Sequence, residues 1–181
     1  MSTELTGFTT TARLFHWLVA CLVLLMIAAG LTMVQQGLPR PVQNSLYVFH
    51  KNTGVIILFI MLARLIYRLR NPYPPLPEMP ALQRLAAEAN HIALYVLIFM
   101  MPLSGYIRVR AGRYPIEWID KLGLPILIPK SKPLEEVAQA IHYYCAMILI
   151  AAILMHIGAA LYHGIWRRDG LLGRVWPPVQ R

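Results

Sequence analysis

Four long apolar runs alternate with shorter polar stretches along this chain of 181 residues. The runs cover approximately residues 12–34, 46–69, 91–108 and 137–166. Each is long enough to cross a hydrocarbon layer about 30 Å thick as a helix. Helices also satisfy their own backbone hydrogen bonds, which lipid cannot do. The pattern therefore predicts an all-α protein, an integral membrane four-helix bundle that forms one domain over residues 1–181.

The connections between the runs differ in character. Residues 35–45 read as a short turn. Residues 71–80 hold five prolines, which exclude a helix and favour an extended path along the membrane surface. The longest loop, residues 111–133, contains an amphipathic piece at residues 116–122, which we expect to lie in the membrane interface with Trp118 at headgroup level.

The composition agrees with a membrane protein and excludes several other classes. Hydrophobic residues make up 57% of the chain, which is more than an ordinary soluble domain carries. The net charge of +9 comes from basic residues that flank the apolar runs on both sides, so membrane placement explains it better than nucleic-acid binding. No CxxCH motif, phosphate-binding loop or dinucleotide fingerprint is present, and the two cysteines both lie within apolar runs.

Basic residues also indicate the orientation. The first loop offers only Arg40, whereas the second run ends in a cluster of Arg64, Arg68 and Arg70. Because arginine and lysine favour the cytoplasmic side, we expect both termini on the cytoplasmic side of the membrane. That side is called inner below, and the opposite side outer.

Two histidines share one face of the last apolar run. His142 and His156 are fourteen residues apart, so on one helix they point within about 40° of each other and are separated by roughly 21 Å. Ionisable groups inside a membrane are rare and usually functional. Two imidazoles in this arrangement predict two stacked metal centres, and the spacing makes haem the leading candidate.

The depth of the other histidines suggests their partners. His50 and His142 lie at the outer level, which pairs them with each other. At the inner level His16 faces the last run, where both His156 and His163 are candidates. Depth counting slightly favours His163, whereas the shorter spacing gives more room for two haems, so the spacing leaves this choice open.

Two glycines fit the same arrangement. Gly30 follows His16 by fourteen residues and presents no side chain where the outer haem would pass. Gly54 lies one turn after His50 and would clear space for the porphyrin edge. Ordinary close contact between membrane helices explains each glycine about equally well.

Several motifs together resemble a known family, the bacterial cytochromes b561, which are di-haem, four-helix, quinone-linked membrane cytochromes. The motifs are residues 13–17 (RLFHW), His50 with Gly54, residues 64–75 (RLIYRLRNPYPP), His91 with residues 101–105 (MPLSG), and His142 with His156 and His163. The resemblance covers nearly the whole chain.

The resemblance implies how the cofactors are held. It assigns His16 and His156 to the iron of an inner haem b, and His50 and His142 to that of an outer one. Iron with two axial histidines has no open position and transfers electrons. The implied inner acceptor is ubiquinone. The candidate polar contacts to the haem propionates or to the quinone are Arg13, Arg64, Arg68 and His163. For His91 a hydrogen-bonded position at a helix end is favoured over a contact with the inner propionates or a quinone.

The electron donor divides the functional hypotheses. By resemblance to the superoxide-oxidising branch, the chain takes electrons from periplasmic superoxide, and basic outer residues steer the anion. The steering candidates are Lys51, Arg108, Arg110 and Arg113. The alternative is an electron-transfer subunit that links a dehydrogenase or a periplasmic redox protein to the quinone pool. A non-redox scaffold or transporter is a third hypothesis and predicts a colourless protein.

Overall fold

Every regular element of the computed structural model is helical within residues 7–74 and 79–177, the part of the chain that it describes. The helices are α1 (Thr10–Met33), α2 (Arg40–Arg70), α3 (Ala81–Ala111), the short α4 (Glu117–Lys121) and α5 (Lys132–Leu161). A π-helical segment, Tyr162–Arg167, continues α5. The four long helices are long and apolar enough to cross a membrane, which confirms the four predicted spans.

Local sequence signals explain where these helices begin. The side chains of Thr9 and Ser131 accept hydrogen bonds from the first turns of α1 and α5. Pro41 and Pro133 lie in first turns, where a missing backbone N–H costs little. The prediction of a turn over residues 35–45 is therefore wrong at its end, because α2 already begins at Arg40.

The third and fourth spans also begin earlier than predicted. Helix α3 begins at Ala81, because its first turns are polar helix formers that a search for apolar runs passes over. His91 consequently lies inside α3, and its expected place at a helix end is wrong. Helix α5 begins at Lys132 for the same reason. Residues 71–74 and 79–80 are non-helical as predicted, and residues 75–78 lie outside the described part.

The helices pack as two close pairs. Helix α1 packs along α2, helix α3 packs most extensively along α5, and α2 also contacts α3. An apolar cluster from all four long helices fills the middle of the bundle; its buried members are Val19, Val23, Ile57, Met61, Leu97, Leu149 and Ala152. Large apolar side chains such as Phe59 and Leu154 face outward, where the lipid of a bilayer would cover them.

The amphipathic piece at residues 116–122 contains the short helix α4, which is anchored to α2. Lys51 Nζ lies 2.8 Å from Glu117 Oε1, and Asn52 Nδ2 donates to Glu117 Oε2 at 2.6 Å. The side-chain Oδ1 of Asn52 in turn accepts from the backbone N–H of Trp118. Burial opposes the ionisation of Glu117, but the hydrogen bonds from Lys51 and Asn52 outweigh burial and lower the pKa of this carboxyl.

A second ion pair anchors α4 to α3. Arg110 Nη2 lies 2.6 Å from Asp120 Oδ1, and the other carboxylate oxygen of Asp120 accepts from the backbone N–H of Ile116. The hydrogen bond from Arg110 holds the pKa of Asp120 below its usual value. Helix α4 is thus a cap over the outer end of the bundle, held by paired charges on two different helices.

Removing one charge of this cap should loosen α4. In Glu117→Gln, the ion pair with Lys51 is lost and the hydrogen bonds weaken, at a cost of about 1–3 kcal/mol. If cleavage requires the cap to open first, trypsin should cleave after Lys121 roughly 5–150 times faster. Glu136→Gln is the matched control, because Glu136 is exposed and lies 3.9 Å from its partner Lys132. Equal cleavage rates in the two variants would show that Glu117 does not hold the cap.

Candidate metal centres

The outer level holds two facing imidazoles. The rings of His50 on α2 and His142 on α5 have their centres 6.2 Å apart. His142 Nδ1 lies 3.0 Å from the carbonyl oxygen of Met101 and 3.1 Å from Ser104 Oγ. A carbonyl can only accept, so Nδ1 carries the proton and donates it. The other ring nitrogen, Nε2, is then left with a free lone pair, which is the state a metal ligand requires.

Glycines make room for both outer rings. A Cβ atom at Gly30 would lie 3.1 Å from His50 Cε1, and one at Gly105 would lie 3.2 Å from His142 Cε1. Gly30 therefore gives space to the histidine ring itself. A Cβ at Gly54 would meet Met26 at 3.6 Å, an ordinary contact, so the structure gives no support for its expected role at a porphyrin edge.

The inner level holds a second pair of the same geometry. The ring centres of His16 on α1 and His156 on α5 are also 6.2 Å apart. The spacing alone left His156 and His163 as alternatives, and the structure places His156, not His163, opposite His16. A third ring, that of His91 on α3, lies 5.5 Å from the His156 ring and is exposed on its other side.

His163 makes its contacts elsewhere, near the beginning of the π-helical segment. Its Nδ1 lies 2.5 Å from Asp169 Oδ2, and its Nε2 lies 3.0 Å from the side-chain amide of Gln83 on α3. Burial opposes the ionisation of Asp169, but the contact with His163 lowers the pKa of this carboxyl. His163 thus joins the end of the fourth span to the beginning of α3.

Both pairs of rings have the separation that axial coordination needs. With metal–nitrogen bonds of about 2 Å, two imidazoles on opposite sides of one metal ion have ring centres roughly 6 Å apart. The histidines also join helices that otherwise make little close contact, since α5 packs along α3 rather than along α1 or α2. The residues therefore fit a flat macrocycle with an axial imidazole on each face.

Arginines accompany each pair. The Arg64 guanidinium interacts electrostatically with His16, His91 and His156, and its buried Nε has no hydrogen-bond partner within the described residues. Arg108 interacts in the same way with both outer histidines. A cation beside each pair fits the propionate carboxylates of a haem.

Arg68 lies near Arg64 and packs on two tyrosine rings. Its guanidinium lies over the rings of Tyr95 at 4.6 Å and Tyr73 at 4.9 Å, and Arg64 shares the Tyr95 ring. Burial and the contact with Tyr95 raise the pKa of the Tyr73 hydroxyl. Arg68 also interacts electrostatically with His91, whose ring contacts that of His156.

Arg13 is predicted from the sequence to contact a haem propionate or the quinone, but in the structure its side chain bonds to backbone carbonyls. Its Nε donates to the carbonyl oxygen of Phe8 and its Nη1 to that of Pro177, each at 2.9 Å. The neighbouring Trp17 donates to the carbonyl oxygen of Val175. Arg13 is buried and ties the C-terminal segment across the beginning of α1, so these two donors are not directed at a ligand.

The outer basic residues fall into two groups. Lys51 and Arg110 are largely buried, and carboxylates of the α4 cap compensate their charges. Arg113 is exposed, and Arg108 lies partly exposed near the outer pair. Any long-range attraction of an anion by this set therefore depends on Arg108 and Arg113.

The comparison with known families agrees with this arrangement. The family model described as prokaryotic cytochrome b561 matches residues 7–178. The chain belongs to the prokaryotic cytochrome b561 family. Membership of this family makes the chain a bacterial membrane protein that binds b-type haem and transfers electrons.

Individual relatives within the cytochrome b561 family cover most of the chain. Cytochrome b561 homolog 2 of Escherichia coli is 32% identical over 162 residues, which are 89% of this chain and 86% of the relative. Cytochrome b561 homolog 1 of the same organism is 30% identical over 94% of this chain and 97% of its own length. A probable superoxide oxidase, CybB of Yersinia pestis, is 30% identical over 90% of this chain and 91% of its own length.

Three residues that support His142 are not among the candidates predicted from the sequence. Met101, Ser104 and Gly105 occur in the motif MPLSG, which contributed to the resemblance without a stated role. A signal was nevertheless present, because a serine followed by a glycine in an apolar helix provides a hydrogen-bonding group beside an open space.

The tight fit at Gly30 in this cytochrome b561 can be tested directly. In Gly30→Ala, the new methyl group would press on the His50 ring and displace it, and overpacking of this kind costs about 1–3 kcal/mol. We expect haem affinity, measured by titration of haem into the haem-free protein, to fall roughly tenfold. Gly158→Ala is the control, because a Cβ there meets nothing within 4 Å. Equal affinities in both variants would contradict this account of Gly30.

Proposed function

We propose that this cytochrome b561 carries electrons across the bacterial inner membrane through two b-type haems, from periplasmic superoxide to ubiquinone. The observation that supports this most strongly is the presence of two facing histidine pairs at two levels of one bundle. Their α5 members are fourteen residues apart, a rise of roughly 21 Å along the helix. The apolar cluster around Met61 and Leu149 lies between the two levels.

In this proposal the four histidines would hold the two haems. His16 and His156 would hold the inner haem, and His50 and His142 would hold the outer one. Haem b, when bound, supplies reversible transfer of one electron. The helices fix the position and direction of each ring, and a haem held by two imidazoles would transfer electrons rather than bind oxygen.

The arginines define the two ends of the path. Arg64 and Arg68 are the inner contacts for propionates or for the quinone. They belong, with Arg70, to the basic end of α2, which favours an inner side that faces the cytoplasm and carries both termini. Arg13 and His163 support that end of the bundle through the contacts described above.

The proposed overall reaction is balanced. Two superoxide anions are each oxidised to O2, which releases two electrons, and ubiquinone takes up these electrons with two protons to give ubiquinol. The named activity of the Yersinia pestis relative supports superoxide as the donor. Arg108 and Arg113 provide the positive outer surface that attracts the anion, whereas Lys51 and Arg110 hold the cap in place.

The ligand assignment predicts selective loss of haem. His142→Ala should lose the outer haem and His156→Ala the inner one, so each variant should retain half the haem of the unaltered chain. The measurement is the haem-to-protein ratio by the pyridine haemochrome method. His163→Ala is the matched control, because His163 lies on the same helical run and bonds to Asp169 and Gln83 instead. A full haem complement in His156→Ala, or a halved one in His163→Ala, would refute the inner assignment.

Electrostatic steering is tested on charges that do not touch the histidine pairs. Arg113→Glu with Lys121→Glu reverses two exposed charges on the outer side. The rate constant for haem reduction by pulses of superoxide should fall about tenfold at low salt, and its salt dependence should flatten.

The control for steering makes the same change on the opposite side. Arg70→Glu with Arg84→Glu reverses two exposed inner charges and should leave the rate unchanged. Equal rates in both double variants would contradict steering. If superoxide does not reduce the haems of the unaltered chain, the donor is wrong, and an electron-transfer subunit that accepts electrons from a redox protein becomes the better hypothesis.

A further inference from the structure

Helices α3 and α5 run antiparallel, and their facing residues form a regular series. Ser104 lies 3.1 Å from His142, Leu97 and Leu149 belong to one buried cluster, and Gln83 lies 3.0 Å from His163. Along this series the residue numbers on α5 rise by seven and then by fourteen, while those on α3 fall by the same two steps. Seven residues are close to two helical turns, so each step returns to nearly the same face of each helix.

One position in this series lacks an observed contact. Between the pair of Leu97 with Leu149 and the pair of Gln83 with His163, the same steps place Asn90 opposite His156. Asn90 is 8% exposed, and its Oδ1 is buried with no hydrogen-bond partner in the described part of the chain. The ring contact of the adjacent His91 with His156 shows that α3 reaches this histidine at this level.

The outer level shows what such a polar group does. There Ser104 and the Met101 carbonyl receive the Nδ1 proton of His142, which fixes the ring and leaves Nε2 free. A histidine that binds a metal nearly always donates its other N–H to an acceptor in this way. A buried carbonyl oxygen without a hydrogen-bond partner also costs free energy, so a hydrogen bond between Asn90 Oδ1 and His156 would stabilise both side chains.

We propose that Asn90 is the positioning residue of the inner centre, with its Oδ1 accepting the Nδ1 proton of His156. This inference rests on the proposed function, because it requires His156 to be an axial ligand. His91 and Gly105 are fourteen residues apart on α3, so they occupy equivalent positions at the inner and the outer level. His91 therefore packs beside the ligand ring, whereas Asn90 occupies the place of Ser104.

The hydrogen bond has a measurable electronic effect. An acceptor on the ligand N–H makes the imidazole more basic and stabilises ferric over ferrous iron. In Asn90→Leu the acceptor is lost, so the midpoint potential of the inner haem should become more positive while that of the outer haem stays unchanged. A tenfold decrease in the equilibrium constant that favours ferric over ferrous iron raises the midpoint potential by about 59 mV for a one-electron couple.

The experiment is a potentiometric titration of purified variants, followed in the visible spectrum, with the ferric EPR spectrum as a second readout. Asn90→Ser restores an oxygen acceptor and should return the inner potential toward its original value, which loss of packing alone would not do. His91→Phe keeps the ring contact but removes its nitrogens, and should change neither potential. If Asn90→Leu does not accumulate in the membrane, Asn90→Ala is titrated in its place, with the same expectation.

Each outcome is decisive. Unchanged potentials and EPR spectra of both haems in the variants without an acceptor would overturn the role of Asn90 and leave the proposed function standing. A shift in His91→Phe without one in Asn90→Leu would transfer the role to His91. An unaltered chain with no haem at the inner level would overturn the proposed function, and this inference with it.

Discussion

The position of four imidazole rings inside an apolar bundle is the constraint on which the rest of the structure depends. A buried imidazole needs a partner for each nitrogen, and the membrane interior offers no water to supply one. The bundle meets this need unevenly. His142 has an acceptor on α3, while the facing rings at both levels stand about as far apart as one metal ion between them requires.

Helix α3 carries no assigned ligand, yet it organises both levels. It provides the acceptors for His142, the open space at Gly105, the ring that packs on His156, and the amide that contacts His163. Because α3 packs closely along α5, residues two turns apart on α3 face residues two turns apart on α5, and one helix can therefore support both levels. Helices α1 and α2, which pack closely on each other, supply the opposite histidines.

The two ends of the bundle are closed by different means. At the outer end, paired charges on Lys51, Glu117, Arg110 and Asp120 hold α4 in place. At the inner end, Arg13 and Trp17 bind backbone carbonyls of the C-terminal segment. Basic residues that look alike in the sequence therefore have different roles. Some pair with a carboxylate or donate to a backbone carbonyl, and only the others keep an uncompensated charge.

The sequence predicts the spans and the histidine levels, because both depend on helical periodicity, and it indicates an amphipathic piece in the longest loop. It does not predict that α3 begins at Ala81, because helix formation in polar turns leaves no apolar signal. It also could not choose between His156 and His163 by spacing, since both lie on one face. The partners of Lys51 and Arg110 depend on how a loop folds back onto α2 and α3. Contacts between residues far apart in the sequence produce no periodic pattern from which they could be predicted.

The ferric EPR spectrum of the purified, unaltered chain, with its spins counted against the protein, tests the central claim most directly. The account predicts two low-spin ferric haems for each chain, one for each facing pair of histidines. A single low-spin haem for each chain, or a high-spin signal from iron with an open position, would contradict it.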